Sequence, residues 1–212
     1  WAKKRGLPRL VGHNAGGENI RPVAKIFADY GVKYLTLYMF STENWNRPRI
    51  EVAGLLSLLA KKIDQETQAF HRDNMRLVHL GRLDRLSQRL RAKVQAAVEL
   101  TRSNTGLTLC LAFDYGGRDE IVQAVRRIAS ADISVDNIDE SVFARHLYNT
   151  DIPDPDLVIR TGGETRLSNF LLWQAAYSEL HFTPVLWPDF GRKDVEEALS
   201  EYRQRRRRFG KI

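Results

Sequence analysis

The stretch Leu107–Glu120 reads LTLCLAFDYGGRDE. Its first half carries apolar side chains on both faces of an extended chain, which suits the central strand of a parallel sheet covered on either side. Its second half passes Gly116 and Gly117 and turns into a helix beginning near Arg118. A buried strand that feeds a helix through a short glycine turn is half of a β-α-β unit, and matching halves lie on both sides of it.

Upstream, Glu18–Gly31 (ENIRPVAKIFADYG) has the pattern of an amphipathic helix closed by Gly31, and Lys33–Phe40 (KYLTLYMF) is a strand rich in β-favouring residues. A polar loop, Ser41–Pro48 (STENWNRP), leads to a long helix, Glu51–Arg72. That helix has an apolar stripe at Val52, Leu55, Leu56, Leu59, Ile63 and Phe70, which Leu58 widens. Met75–Gly81 is the next strand and Leu83–Ser103 the next helix. Downstream come a polar stretch, Asp132–Asp139, a short helix and the strand Asp156–Arg160. The pattern then predicts a helix over SNFLLWQAAYSE, capped by Ser168 or Asn169, a short strand Leu180–Val185 and a last helix from about Asp194. This alternation predicts an α/β fold with a mostly parallel central sheet flanked by helices, in one domain over residues 1–212. In such folds ligands bind beyond the C-terminal ends of the strands.

A chain of 212 residues is long enough to bury roughly 70% of its unfolded surface, and 43% hydrophobic with 28% charged residues is ordinary for a globular protein. No apolar run approaches the roughly 18 residues that cross a membrane. The one cysteine, Cys110, lies in the apolar run and reads as a small core residue of a reducing compartment. A net charge of +7 points to an anionic partner, with much of the excess in YRQRRRRFGKI at the end of the chain.

Three loops that follow strands concentrate the polar chemistry. STENWNRP packs a hydroxyl, a carboxylate, an amide, an indole and a guanidinium into Ser41–Arg47. As an amide, Asn44 is no strong base and suits positioning or relaying a proton. DYGGR follows the central strand. VIRTGGETRLSNF, Val158–Phe170, brings Arg160 and Arg166 towards the expected helix start at Ser168, an arrangement shaped for an anion. Gly12, Gly16 and Gly17 are expected just before a helix, with Arg9 and His13 nearby as phosphate donors. The other histidines, His71, His79, His146 and His181, read as structural. No Walker A sequence, zinc-type cysteine spacing or G-x-G-x-x-G is present.

FSTENWNRP, DYGGR and RTGGETRLSNFLLWQAAYSELHFTPVLWPDF together resemble the signatures of the cis-prenyltransferases, and the likeness runs in consistent order from Trp1 to Gly210. The resemblance implies an α/β homodimer with an apolar product tunnel. Such an enzyme elongates an allylic diphosphate, typically farnesyl diphosphate, with isopentenyl diphosphate. Each new double bond is cis, Mg²⁺ is required, and the product is a polyprenyl diphosphate such as undecaprenyl diphosphate. It places Trp1, Arg9 and His13 on the allylic diphosphate side. Ser41, Thr42, Glu43, Asn44, Trp45 and Arg47 match the loop that closes over the substrates, with Asn44 assisting proton removal. Arg160, Arg166, Leu167 and Ser168 match the isopentenyl diphosphate site, Glu179 a Mg²⁺ ligand, and Arg208 and Gly210 a terminal R-x-G element near the dimer interface. Family members carry a D-G-N-G-R loop before the tryptophan matching Trp1, and its aspartate binds Mg²⁺. The chain as given starts at Trp1, so in that form it is expected to be inactive.

Two other readings compete. A nucleic-acid-binding module would interleave aromatic and basic residues on one face. Here the aromatics fall mostly in apolar strands and helices, so no nucleic-acid partner is expected. A non-catalytic subunit of a cis-prenyltransferase complex would have lost further substrate residues, whereas Arg9, His13, Asn44, Arg160, Arg166, Ser168 and Glu179 are all in place. The expected location is the cytoplasm, with transient contact at a membrane surface because the product is a lipid.

Overall fold

The computed structural model describes residues 1–148 and 150–205. In chain order the elements are α1 (Arg9–Glu18), α2 (Ile20–Asp29), β1 (Tyr34–Ser41), α3 (Arg49–Arg72), β2 (Arg76–Leu80) and α4 (Gln88–Thr101). They continue with β3 (Thr108–Tyr115), α5 (Gly117–Ser130), α6 (Glu140–Ala144), β4 (Leu157–Arg160), β5 (Glu179–Phe182) and α7 (Arg192–Gln204). Short 3₁₀ turns cover Thr42–Asn46 and Trp187–Asp189. The elements gather into two compact units. One holds 31–153 with Ser168–Trp173; the other holds 1–30, 154–167 and 174 onwards.

In the first unit β3 is the central strand, parallel to β1 on one side and β2 on the other, as its two apolar faces require. Leu109 and Ala112 are completely buried there. Cys110 is buried beside them, and burial pushes its thiol up to about 12, so it is a core residue with no thiolate chemistry at neutral pH. The core continues through Phe40, stacked on Phe113 at 4.9 Å, to Val52 of α3 and Leu90 and Val94 of α4. Leu55, Leu56, Leu59 and Ile63 of α3 pack against this cluster while staying partly exposed. The register pairs Ser41 with Tyr115, so the loops that leave β1 and β3 start side by side.

The second unit has its own parallel pair, β4 with β5, in which Leu157 faces Glu179 and Arg160 faces Phe182. Val23, Ala24 and Phe27 of α2 and Val195 and Ala198 of α7 form its buried faces. All strand pairings are parallel among the described residues, which agrees with the expected fold class.

Two local expectations fail. Gly12, Gly16 and Gly17 do not precede a helix; they lie inside α1, whose first residue is Arg9. Close packing explains two of them. A Cβ on Gly12 would stand 3.1 Å from the Ala2 Cβ and one on Gly16 3.1 Å from Trp187 Cδ1, while Gly16 O accepts the Trp187 indole N–H at 2.8 Å. The predicted helix over SNFLLWQAAYSE is also absent, and Ser168–Tyr177 forms irregular turns and bends. Ser168, Asn169 and Leu171 have φ of 50°, 66° and 45°, a left-handed backbone that a right-handed helix cannot contain. Arg160 and Arg166 therefore do not meet at a helix N-terminus.

Candidate active site

Beyond β1 the chain turns at once. Asn44 Oδ1 accepts the Ser41 N–H at 3.1 Å, tying the 3₁₀ turn Thr42–Asn46 back to the end of β1. This commits Asn44 Oδ1 to the backbone and leaves Nδ2, a donor and no base, as the other polar group of the amide. Trp45 is held from two sides. Its ring meets Phe40 edge-on at 5.4 Å, and its Nε1 donates to Asp114 Oδ1 at 2.7 Å. Arg47 Nη1 pairs with Glu51 Oε1 at 3.1 Å across the first turn of α3.

Asp114 is fully buried with a φ of 52°, at the point where β3 becomes the DYGGR turn. Burial pushes its carboxyl above the usual range, against the lowering pull of the Trp45 indole and the Arg85 and Arg82 guanidiniums. Arg85 Nε stands 3.1 Å from Asp114 Oδ2 and its guanidinium lies 5.7 Å from the centre of the Trp45 ring. Deeper in, Tyr115 donates to Glu120 Oε2 at 2.6 Å, and Glu120 Oε1 accepts the Tyr148 N–H at 3.1 Å. This buried pair fastens the start of α5 to β3.

Glu43 faces the RLSNF segment. Its carboxylate accepts Asn169 Nδ2 at 2.6 Å and the Thr42 hydroxyl at 3.2 Å. Burial draws its carboxyl upward, but hydrogen bonds from its own backbone N–H, Asn169, Ser41 and Thr42 outweigh that and hold it below the usual range. STENW, DYGGR and the Ser168–Phe170 segment thus meet in one place, as the strand-end positions of the first two anticipate.

The remaining expected residues lie in the second unit. Trp1 donates from Nε1 to Asp189 Oδ1 at 2.7 Å, and Arg5 stacks on its ring at 4.2 Å while pairing with Asp189 at 3.2 Å. Arg9 and His13 sit four apart on α1 and so share one face, with Arg9 exposed and His13 half-buried. Arg160, the last residue of β4, reaches Glu164 Oε2 from Nη2 at 3.1 Å, and Arg166 pairs with the same oxygen. The loop between them is pinned by Gly162 N–H to Val185 O at 2.8 Å and Gly163 N–H to Thr183 O at 2.9 Å, with φ of 91° and 78° that favour glycine. Arg160 Nε is buried and has no hydrogen-bond partner among the described residues. Two guanidiniums are therefore gathered around one carboxylate oxygen, at the C-terminal end of a strand.

Glu179 lies elsewhere. It starts β5 opposite Leu157, three ladder positions from Arg160, or about 10 Å at strand rise. Its carboxylate is held by Arg205 Nη1 at 2.8 Å, and Arg205 also approaches Glu201 at 3.7 Å. Leu167 is half-buried and Ser168 exposed. Arg208 and Gly210 lie outside the described residues. His79, His146 and His181 are structural, bonded to Phe113 O, Val142 O and the Glu201 carboxylate. Asp114 and Asn169 in the first unit and Glu164 and Asp189 in the second escape the sequence reading: Asp114, Asn169 and Asp189 act through partners distant in sequence, and Glu164 through a loop conformation no pattern displays.

The prenyltransferase family model described as undecaprenyl diphosphate synthase matches residues 1–210. The isoprenyl transferase of Heliobacterium mobile is 48% identical over 216 residues, covering 100% of this chain and 83% of that protein. The ditrans,polycis-undecaprenyl-diphosphate synthase ((2E,6E)-farnesyl-diphosphate specific) of Escherichia coli K12 is 48% identical over 214 residues, covering 99% and 85%. The crystal structure of lavandulyl diphosphate synthase from Lavandula x intermedia, in complex with dimethylallyl diphosphate, superposes with a TM-score of 0.95 at 37% identity, covering 100% of this chain and 93% of that one. This chain belongs to the undecaprenyl diphosphate synthase family of prenyl-transferring enzymes.

Proposed function

We propose that this protein elongates an allylic diphosphate, farnesyl diphosphate by preference, with isopentenyl diphosphate units to a polyprenyl diphosphate such as undecaprenyl diphosphate. The observation that carries the reading is the pair Arg160 and Arg166 drawn together on Glu164, with Arg160 Nε buried and unpartnered among the described residues. A diphosphate offers the oxygens that this donor set lacks, and guanidinium forks suit them. Arg160, Arg166, Leu167 and Ser168 are assigned to isopentenyl diphosphate, and Trp1, Arg9 and His13 to the allylic diphosphate. Ser41–Arg47 is assigned as the substrate-covering loop.

In each cycle the allylic C–O bond breaks and its electron pair leaves with diphosphate. The isopentenyl double bond attacks the allylic cation to form the new C–C bond. Loss of a proton from the adjacent carbon then restores a double bond. Asn44 presents Nδ2 as a donor, so it orients the departing diphosphate or a water, and the proton goes to the released diphosphate. The partly exposed row Leu55, Leu56, Leu59 and Ile63 supports an apolar wall for the growing chain.

The family resemblance also implies Mg²⁺. Among the described residues no group of three His, Cys, Asp or Glu side chains could hold a metal ion, and Glu179 is tied to Arg205 away from Arg160. These residues do not by themselves build a metal cage. When bound with the diphosphate, Mg²⁺ would supply neutralisation of leaving-group charge, and Glu179 is the residue that the resemblance assigns to it. We assign a homodimer in the cytoplasm that touches a membrane surface in passing; no helix among the described residues is long and apolar enough to cross one.

The test is incorporation of labelled isopentenyl diphosphate into extractable lipid by the full-length protein, with Mg²⁺ and farnesyl diphosphate. A ladder of longer prenyl products that disappears with chelator is expected. No incorporation with farnesyl, geranyl or dimethylallyl diphosphate would favour a non-catalytic subunit.

A further inference from the structure

Asn169 joins three segments that lie far apart in the sequence. Its Nδ2 donates to Glu43 Oε1 at 2.6 Å, its Oδ1 accepts the Arg118 N–H at 2.8 Å, and its backbone carbonyl accepts the Gly117 N–H at 2.7 Å. The last two cap the N-terminus of α5, where no residue of the helix's own approach supplies a side-chain cap. One planar amide thus satisfies a carboxylate on one side and a helix N-terminus on the other. Aspartate has no donor for Glu43 and alanine has neither group, while an asparagine tolerates the φ of 66° that the geometry imposes.

The surroundings are built to hold it there. A Cβ on Gly116 would stand 2.9 Å from Asn169 Nδ2 and 2.4 Å from the Thr42 hydroxyl, so the DYGGR turn admits this contact only with glycine. Phe170 stacks on Tyr38 at 4.7 Å and meets Tyr115 edge-on at 6.1 Å. Leu171 is buried, and Trp173 packs on Phe143 at 4.3 Å. These apolar anchors fix the segment, and Asn169 is its polar tip.

We infer that Asn169 is the positioning residue of the active-site loop: it fixes Glu43, and through it Ser41–Arg47, to the N-terminus of α5. The inference rests on the reading of that loop as the one that closes over the substrates. Removing the link leaves Glu43 without its closest donor and lets the loop sample other positions, which lowers kcat more than it changes the folded state.

A double-mutant cycle tests it with the full-length protein. Asn169→Asp sets two carboxylates face to face. At pH 8 they repel and kcat falls by roughly 30-fold, about 2 kcal/mol. Towards pH 6 a proton shared between them rebuilds the bridge, so the loss relative to native protein at the same pH shrinks several-fold. In a Glu43→Gln background the new amide can donate to the new carboxylate with the roles exchanged, so adding N169D there costs less than threefold. Thermal midpoints of all four proteins read the same coupling without turnover. If N169D fails to fold while the double variant folds, the coupling is shown in another form. Equal cost of N169D in both backgrounds, or a loss that does not change with pH, overturns the assignment. Inactivity of the native protein instead overturns the elongation reading, and the coupling in the melts still stands or falls by itself.

Discussion

Arg160→Ala raises the KM for isopentenyl diphosphate by roughly 10- to 150-fold and leaves the KM for the allylic primer nearly unchanged. Charge-assisted hydrogen bonds contribute about 1.5–3 kcal/mol each, and Arg160 offers a fork whose Nε has no other partner among the described residues. The substitution also turns Glu164 into a repulsive neighbour, because its carboxylate then keeps only Arg166 to offset it. Arg160→Lys keeps the charge and loses the fork, so it falls between the two. Because the contact is made to a diphosphate that stays attached during the step, kcat changes less than KM. Steady-state incorporation at saturating primer measures both. An unchanged isopentenyl diphosphate KM would remove Arg160 from that site.

Gly81→Ala has the largest effect on stability. Gly81 follows β2 with φ of 124°, a conformation closed to side-chain-bearing residues. An added Cβ would stand 2.4 Å from Phe113 O and 2.8 Å from Asp114 O, and these are backbone atoms that cannot swing aside. Asp114 O also receives the Arg82 N–H at 3.0 Å, so a shift there loosens the turn that carries Asp114 and with it Trp45. Backbone strain and overpacking each cost about 1–3 kcal/mol, together roughly 3–5 kcal/mol. At roughly 2–4 °C per kcal/mol for a chain of this size, the melting midpoint drops by about 10 °C or more. Activity falls alongside, because the loop that holds Trp45 moves. A melt within a degree or two of native would mean that the Gly81 backbone has no such role.

These two residues mark where the sequence is legible. Arg160 ends a short apolar strand before Gly162 and Gly163, so its place at a strand end leading into a glycine loop is visible from pattern alone. The central place of β3 is equally visible, because a strand apolar on both faces must be covered on both. Gly81 reads as ordinary punctuation, and only its neighbours Phe113 and Asp114 show why a side chain is excluded. The glycines of α1 mislead for a related reason. Glycine lowers helix propensity by about 1 kcal/mol against alanine, yet contacts with Ala2 and Trp187 override it. SNFLLWQAAYSE misleads in the opposite sense. Its apolar residues have helical spacing, but Phe170, Leu171 and Trp173 are held by aromatic and core contacts while Ser168, Asn169 and Leu171 take a left-handed backbone. Glu164 lies between the two arginines it joins, but only the glycine-loop conformation brings the three together, and the partners of Asn169 are 51 and 126 residues away.

The configuration of the newly formed double bonds tests the central claim most directly. Products made from farnesyl diphosphate and ¹³C-labelled isopentenyl diphosphate, by the full-length protein with Mg²⁺, are extracted and examined by ¹³C NMR. The account predicts that every added unit carries a cis double bond while the primer's own trans bonds are retained. Trans bonds in the added units, or no units added at all, would contradict it.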